Sequence, residues 1–112
     1  MSECLFCRIL KKEIPSKPVF EDDTVYAFSD INPQAPTHIL LIPKKHVAGV
    51  EALRSGDEAL AGNLIVRARE LASSLGLKAF RLVFNSGPEA GQSVFHLHLH
   101  LLGGRTMTWP PG

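Results

Sequence analysis

The sequence predicts an α+β domain in which antiparallel strands form one sheet and a long helix packs against it. Residues Asp57 to Leu75 repeat apolar side chains with helical spacing. The shorter apolar runs around this segment are separated by residues that favour turns, as in sheets built from antiparallel strands. A chain of 112 residues suits one compact unit, so residues 1–112 are predicted to form a single domain.

Composition argues against two classes of partner. Lys and Arg total 12 against 11 acidic residues, and no basic stretch is long enough to follow a nucleic-acid backbone. No segment approaches the roughly 20 apolar residues that span a bilayer. The start of the chain, Met1 to Cys4, lacks the basic and apolar regions of a signal peptide, so a cytoplasmic location is the default expectation. In that compartment Cys4 and Cys7 are expected as thiols or metal ligands rather than as a disulfide.

The first third of the chain predicts a short helix followed by a hairpin. Leu5 to Lys12 has helical character and is ended by Ile14-Pro15, because proline disfavours helix in the residue before it. Pro18 to Glu21 and Thr24 to Phe28 are strand-like, and Asp22-Asp23 is predicted as their two-residue connection.

Three more strands are predicted, the first of them after a loop that contains two prolines. The loop is Asp30 to Pro36, and the strand that follows is His38 to Ile42. Arg81 to Asn85 and Val94 to Leu102 supply the other two strands, on either side of the turn-rich segment Ser86 to Gly91.

The long helix carries recognisable start and stop signals. Ser55 and Glu58 match a capping box, and Gly76 suits the position after the last helical turn because it tolerates positive φ. The apolar face consists of Leu60, Leu64, Ala68, Leu71 and Leu75.

The segment Val94 to Leu102 alternates histidine with apolar residues. As a strand it would project His96, His98 and His100 from one face, while the other face would bury Phe95, Leu97, Leu99 and Leu101. Neighbouring imidazoles repel when charged, so some should be neutral at pH 7, with one ring nitrogen available to act as a nucleophile or metal ligand.

The spacing of the histidines fits both a metal site and covalent catalysis. The flanking residues favour catalysis on a phosphate. Gly91-Gln92-Ser93 before the strand and Gly103-Gly104-Arg105 after it can bring backbone N–H groups close to an anion.

The segment Gln92 to Leu102 resembles the signature of the histidine-triad family, His-φ-His-φ-His-φ-φ, in which φ is apolar. The uridylyltransferase branch carries glutamine at the third histidine, so His100 fits the hydrolase branches. The similarity to the nucleotide-binding branch extends over nearly the whole chain. It includes Glu13-Ile14-Pro15, Phe20 to Asp23, Asp30 to His38, Ile42 to His46 and Trp109-Pro110-Pro111-Gly112.

The resemblance implies a purine nucleoside phosphoramidase that works without an organic cofactor or a catalytic metal. His98 would be the nucleophile and form a nucleotidyl-histidine that water hydrolyses. His100 and His38 would contact the phosphate or hold the other histidines. His96 would shape the site through its backbone and ring, and Ser93 would lie near the leaving group.

The resemblance also implies where a nucleotide would bind. Asp30 would accept hydrogen bonds from both ribose hydroxyls, beside Ile31. The phosphate would be lined by Asn85, Gly91, Gln92, Ser93, His98 and His100. The purine would enter an apolar slot made by Leu5, Phe6, Ile9 and Phe28. The protein would be a homodimer, with Trp109 reaching toward the partner's site.

Three other functions fit the sequence. One is dinucleoside polyphosphate hydrolysis, although the ending Trp109 to Gly112 favours the phosphoramidase branch. Another is a nucleotide-binding regulatory protein whose turnover is incidental. The last is a metal-stabilised interaction module without chemistry.

Cys4 and Cys7 are predicted to bind a structural Zn²⁺ together with His46 and His96, a site that the best-known eukaryotic relatives lack. Two thiolates and two imidazoles would complete a tetrahedral shell and leave His98 and His100 outside it, so catalysis should not need the ion directly. The alternatives are two unpaired thiols or a redox pair, although no strand precedes the cysteines as in thioredoxin-like motifs.

Overall fold

A computed structural model describes residues 4–112, so the stretch Met1 to Glu3, considered above for a targeting signal, lies outside it. One sheet has the strand order β1-β2-β3-β5-β4, and every neighbouring pair is antiparallel. This confirms the predicted α+β fold. The elements are α1 (Leu5–Leu10), β1 (Pro18–Glu21), β2 (Val25–Ser29), β3 (Thr37–Pro43), α2 (Glu58–Ser74), β4 (Phe80–Val83) and β5 (Leu99–Gly103), with 3₁₀ turns at Val50–Ala52 and Pro88–Ala90. In this part of the chain no helix has the length and apolar character needed to cross a membrane.

The long helix α2 covers one face of the sheet. Leu64, Ala68 and Leu71 are buried as predicted, against alternate residues of the central strands. Leu75 was also expected in this face but is 48% exposed, because α2 ends at Ser74 and Leu75 only caps it. The chain then turns at Gly76, whose φ of +75° suits glycine. The sheet residues of this core are Val25, Ala27, Ile39, Leu41, Leu99 and Leu101, and Leu97 joins them from the segment before β5.

The short helix α1 covers part of the opposite face. Phe6 and Ile9 pack there against Tyr26, Phe28, Leu40 and Ile42. Because both faces are covered near α1, β2 and β3 are buried almost continuously instead of alternating. The same face carries His38 on β3 and His100 on β5, and His98 lies just before β5. The fold therefore places a small apolar helix next to a polar site.

The histidine segment differs from its prediction. The strand begins at Leu99 rather than Val94, and Phe95 is 47% exposed instead of buried. The cause is local hydrogen bonding, since the Leu97 N–H donates to the Val47 carbonyl at 2.6 Å rather than to a sheet neighbour. Leu97, Leu99 and Leu101 still enter the core as expected.

The predicted capping box is wrong. Asp57, not Ser55, is the N-cap of α2, and its side chain accepts a hydrogen bond from the N–H of Arg54 instead of capping the helix. The Glu58 carboxylate accepts from the N–H of Gly56 at 2.8 Å. Both carboxylates therefore order the turn before the helix.

The first hairpin turns one residue later than predicted. Asp22 and Val25 close the turn through the Asp22 N–H and the Val25 carbonyl, so Asp23 and Thr24 are its central pair. The Asp22 carboxylate accepts from the N–H groups of Thr24 and Val25 at 2.8 Å each, which favours this register.

The bounds of three further elements differ from the prediction. α1 ends at Leu10 rather than Lys12, whose φ is +65°, and β4 covers Phe80–Val83 rather than residues 81–85. β3 begins one residue earlier and ends one later than expected.

Candidate functional site

The buried ring of His98 is held in one tautomer by its own segment. Its Nδ1 lies 2.7 Å from the backbone carbonyl oxygen of His96. A carbonyl oxygen only accepts, so Nδ1 carries the proton and donates it. In the neutral ring Nε2 then keeps its lone pair, which is the form that a nucleophilic imidazole requires.

A second hydrogen-bond chain fixes His38 and His100. The backbone N–H of Gln34 donates to His38 Nδ1 at 3.0 Å, so His38 carries its proton on Nε2. That atom lies 2.9 Å from His100 Nδ1, and the proton of His100 is therefore on Nε2. Among the residues that the structure describes, this buried Nε2–H has no hydrogen-bond partner. It is a donor available to a ligand.

The site is electrostatically suited to neutral imidazoles. Burial, together with the neighbouring rings of His98 and His38, lowers the pKa of His100 to about 4. Burial also lowers the pKa of His38, against the opposing effect of Asp30. The lowered pKa values of His38 and His100 agree with the expectation that some of the closely spaced histidines are neutral at pH 7. The rings of His98 and His100 lie 5.0 Å apart.

Asp30 borders this histidine group. Its Oδ2 lies 3.5 Å from His38 Nε2, and its Oδ1 accepts from the N–H of Asn32 at 2.8 Å. Ile31, expected beside the ribose, has a fully exposed side chain at 100%. The structure thus brings Asp30 to the histidines and leaves Ile31 in contact with solvent.

The predicted apolar slot adjoins His98. The ring of Phe6 meets that of His98 edge-on at 5.1 Å and that of Phe28 at 5.5 Å. Phe6, Ile9 and Phe28 are also members of the core, whereas Leu5 is half-exposed. The slot is therefore one edge of the hydrophobic packing under α1.

The residues predicted to line the phosphate divide into two groups. Asn85 lies with His100 in one surface depression, and Gly91 follows the neighbouring 3₁₀ turn with a φ of +100°. A Cβ at Gly91 would lie 3.7 Å from the Asn85 amide, so the two are adjacent. Ser93 instead lines a shallow pocket with Leu5 and Phe95.

Gln92 joins two loops through hydrogen bonds. Its side-chain amide donates to the carbonyls of Ala48 and Val94 and accepts from the N–H of Gly87, while its own N–H donates to the Gly87 carbonyl. These bonds use its polar atoms within the protein. Gln92 therefore has a structural role, and its contact with a phosphate stays a prediction.

Two contributors to the site were missed by the sequence analysis. The backbone N–H of Gln34 orients His38, and Arg81 lines the depression beside His100. A backbone donor has no sequence signal, and Arg81 was assigned only to a strand. Arg105, noted above as part of a glycine-bounded segment, lines the same depression.

Cys4, Cys7, His46 and His96 form a second cluster, here called the four-ligand cluster. Their sulfur and ring-nitrogen atoms all lie within 4.8 Å of one another. His96 Nδ1 lies 3.4 Å from Cys4 Sγ, 3.6 Å from Cys7 Sγ and 3.1 Å from His46 Nδ1, and Cys7 Sγ lies 3.3 Å from His46 Nδ1. Tetrahedral zinc bonds imply about 3.3 Å between two nitrogen ligands and about 3.5 Å between nitrogen and sulfur. The spacing fits Zn²⁺.

The protonation of His96 also fits a metal ligand. Its Nε2 lies 2.9 Å from the Pro43 carbonyl, so it carries the proton and leaves the Nδ1 lone pair facing the two thiols. Burial lowers the pKa of His96 and raises that of the Cys4 thiol. Burial thus disfavours a charged imidazole and an unligated thiolate, and a divalent cation would compensate the charge of bound thiolates.

Comparison with known proteins identifies the family. The HIT domain family model matches residues 11–107. The chain is 51% identical over 115 residues to a 14 kDa zinc-binding protein of Zea mays, covering 99% of this chain and 89% of the relative. It is 50% identical over 115 residues to the adenylylsulfatase HINT1 of Arabidopsis thaliana, covering 99% of this chain and 78% of the relative.

A solved structure supports the same assignment. The HIT family hydrolase from Legionella pneumophila superposes with a TM-score of 0.96 at 54% sequence identity, over 98% of this chain and 100% of that one. Two of these relatives are described as enzymes, which supports a hydrolase with a nucleotide substrate. On sequence and structure together, the chain belongs to the HIT domain family.

Proposed function

We propose that this protein hydrolyses purine nucleoside phosphoramidates through a covalent nucleotidyl intermediate on His98. The observation that carries the proposal is the bond from His98 Nδ1 to the His96 carbonyl at 2.7 Å, which presents Nε2 as a nucleophile. The protonated Nε2 of His100, buried and unpaired among the described residues, supplies a donor for a phosphoryl oxygen.

The reaction would proceed in two displacements. His98 Nε2 bonds to the α-phosphorus as the bond to the leaving nitrogen breaks, and that nitrogen takes a proton from solvent and departs as the amine. The hydrogen bond from His100 stabilises negative charge on the phosphoryl group in this step. Water then cleaves the nucleotidyl-histidine and releases a nucleoside monophosphate.

The nucleoside would lie between Asp30 and the apolar edge formed by Phe6 and Phe28. Asp30 stands 3.5 Å from His38, so a ribose that it binds would be close to the histidine group. Phe6 contacts the ring of His98, so the apolar edge would lie beside the reacting phosphate. In this proposal base, sugar and phosphate would all lie close to the histidine group.

A second substrate class has support from one relative. An adenylyl sulfate also has an α-phosphorus that His98 could attack, with sulfate as the leaving group, and the Arabidopsis relative is described as an adenylylsulfatase. Steady-state kinetics with an adenosine phosphoramidate, adenylyl sulfate and a dinucleoside polyphosphate would rank the classes. The highest kcat/KM is expected for the phosphoramidate, and absence of all three activities would contradict the proposal.

Asp30→Ala should weaken the binding of ribonucleotides. A carboxylate that accepts two hydroxyl hydrogen bonds contributes about 1.5–3 kcal/mol for each charged bond, so affinity should fall at least tenfold. Titration with AMP and with its dideoxy analogue measures the effect. The analogue should lose much less affinity than AMP, and equal losses would show that Asp30 only supports the Asn32 turn.

We also propose that the protein is a homodimer. β4 is an edge strand of the sheet, Phe80 on it is partly exposed, and Trp109 is 81% exposed. Arg81 donates to the Thr108 carbonyl at 2.9 Å, which holds the segment before Trp109 close to this edge. An exposed edge strand with apolar side chains is a surface that a second copy can cover.

Light scattering should therefore give twice the 12.2 kDa mass of one chain at micromolar concentration. If the Trp109 side chain reaches the partner's site, Trp109→Ala should change the kcat/KM of substrates with bulky leaving groups. A mass of one chain across the concentration range would refute the dimer.

We propose Zn²⁺ as the resident metal of the four-ligand cluster. The ligand distances match a tetrahedral site, and the Zea mays relative is described as zinc-binding. When bound, the ion would hold α1 to the loops that carry His46 and His96. It would supply structure rather than chemistry, since His98 and His100 are not among its ligands.

A further inference from the structure

We infer that metal in the four-ligand cluster controls the affinity of the nucleotide site, because it fixes α1 against the histidines. The inference rests on the proposed nucleotide-binding function and concerns what Cys4, Cys7 and His46 do for it. These three are positioning residues, since they act on the nucleotide through α1 and His96.

The helix α1 is the first connection between the four-ligand cluster and the nucleotide site. Cys4 is the N-cap of this helix and Cys7 lies one turn later, so the two sulfur ligands stand on either side of Phe6 in the sequence. A helix of six residues is marginal by itself and depends on its anchors. Phe6 contacts both His96 at 5.9 Å and His98 at 5.1 Å. A metal that joins both ends of this turn to the loops that carry His46 and His96 would therefore hold the wall of the purine slot.

The second connection is His96, which belongs to both the four-ligand cluster and the nucleotide site. Its ring faces the two thiols, and its backbone carbonyl accepts the Nδ1–H of His98. This peptide has another anchor, because the next N–H, that of Leu97, donates to the Val47 carbonyl. His98 is thus held even when the His96 ring is not, whereas α1 depends on the packing of Phe6 and Ile9 and on its two sulfur ligands.

The two connections predict a split between binding and turnover. Loss of the metal should raise the dissociation constant of AMP and the KM much more than it lowers kcat. Linkage also requires reciprocity, so saturating AMP should tighten zinc binding by the same factor.

The experiment compares zinc-loaded protein, chelator-stripped protein and stripped protein that has been reloaded. Calorimetric titration with AMP should show affinity at least about tenfold weaker after stripping, equivalent to about 1.4 kcal/mol, and recovery after reloading. Competition with a chromogenic chelator, with and without AMP, measures the reciprocal effect on zinc. Glu13→Gln is a matched control, because it removes only the exposed 3.4 Å ion pair with Arg8 and should keep the full dependence on zinc.

Amide hydrogen exchange distinguishes a local effect from unfolding. The N–H groups of Arg8 and Lys11, which bond to the carbonyls of Cys4 and Cys7, should exchange faster after stripping, while the β2 and β3 amides stay protected. Loss of protection throughout the sheet would overturn the inference, as would an AMP affinity that is equal with and without zinc. Failure of the zinc-loaded protein to bind AMP would instead overturn the proposed function.

Discussion

His98→Ala is expected to lower the turnover of an adenosine phosphoramidate by several orders of magnitude. The substitution removes the Nε2 lone pair that the His96 carbonyl orients, and no covalent intermediate can then form at this position. Rapid quench of the wild-type protein with substrate should trap one nucleotidyl group, which peptide mass spectrometry should locate on His98. The variant should show no adduct.

His100→Gln is the matched control for this result. The amide keeps a hydrogen-bond donor near the position of the His100 Nε2–H, so the variant should be slower but should still form the adduct on His98. The His98→Ala variant should still bind AMP measurably, and this binding would show that its site remains folded. An adduct that maps to another residue in the wild-type protein would contradict the assignment of the nucleophile.

Replacement of both Cys4 and Cys7 by serine should remove close to one zinc ion per chain and lower the melting temperature by about 10 °C or more. Serine keeps the size of the side chain but lacks the thiolate that zinc prefers, and the free energy of a structural zinc site contributes directly to folding. Elemental analysis of gently purified protein and a thermal melt measure the two effects. Catalysis should survive at saturating substrate, since the triad is outside the ligand set.

Two controls make the zinc result specific. Wild-type protein in a strong chelator should melt like the serine variant, and added zinc should stabilise only the wild type. Wild-type protein that is fully reduced, folded, active and metal-free when zinc is supplied would exclude the site.

The amphipathic pattern of α2 and the strand-like runs predicted the architecture, because burial of a periodic apolar face dominates folding at this size. Local hydrogen bonds decided the boundaries. The hydrogen bond that the Asp22 carboxylate accepts favours a hairpin turn one residue later than predicted. The Glu58 carboxylate accepts from the N–H of Gly56 instead of completing a capping box. Asx turns and caps draw on the same few residue types, so their register is weakly marked in a sequence.

The sequence likewise predicted some features of the candidate site and not others. Alternation of His96, His98 and His100 with apolar residues marked the candidate reactive segment, but the predicted regular strand placed Phe95 in the core and all three rings on one face of the sheet. In the structure the segment leaves the sheet before Leu99, so the His96 ring joins Cys4 while the His98 ring joins His100.

By itself the sequence determined which side chains are the candidates for the chemistry, since residue type and spacing record three alternating histidines, a carboxylate and a Cys-x-x-Cys pair. Only the tertiary structure decided which nitrogen of each ring holds the proton. The groups that decide it are the carbonyls of His96 and Pro43 and the N–H of Gln34. Every residue other than proline offers the same backbone donor and acceptor, and only folding brings a particular one within 3 Å of a particular ring.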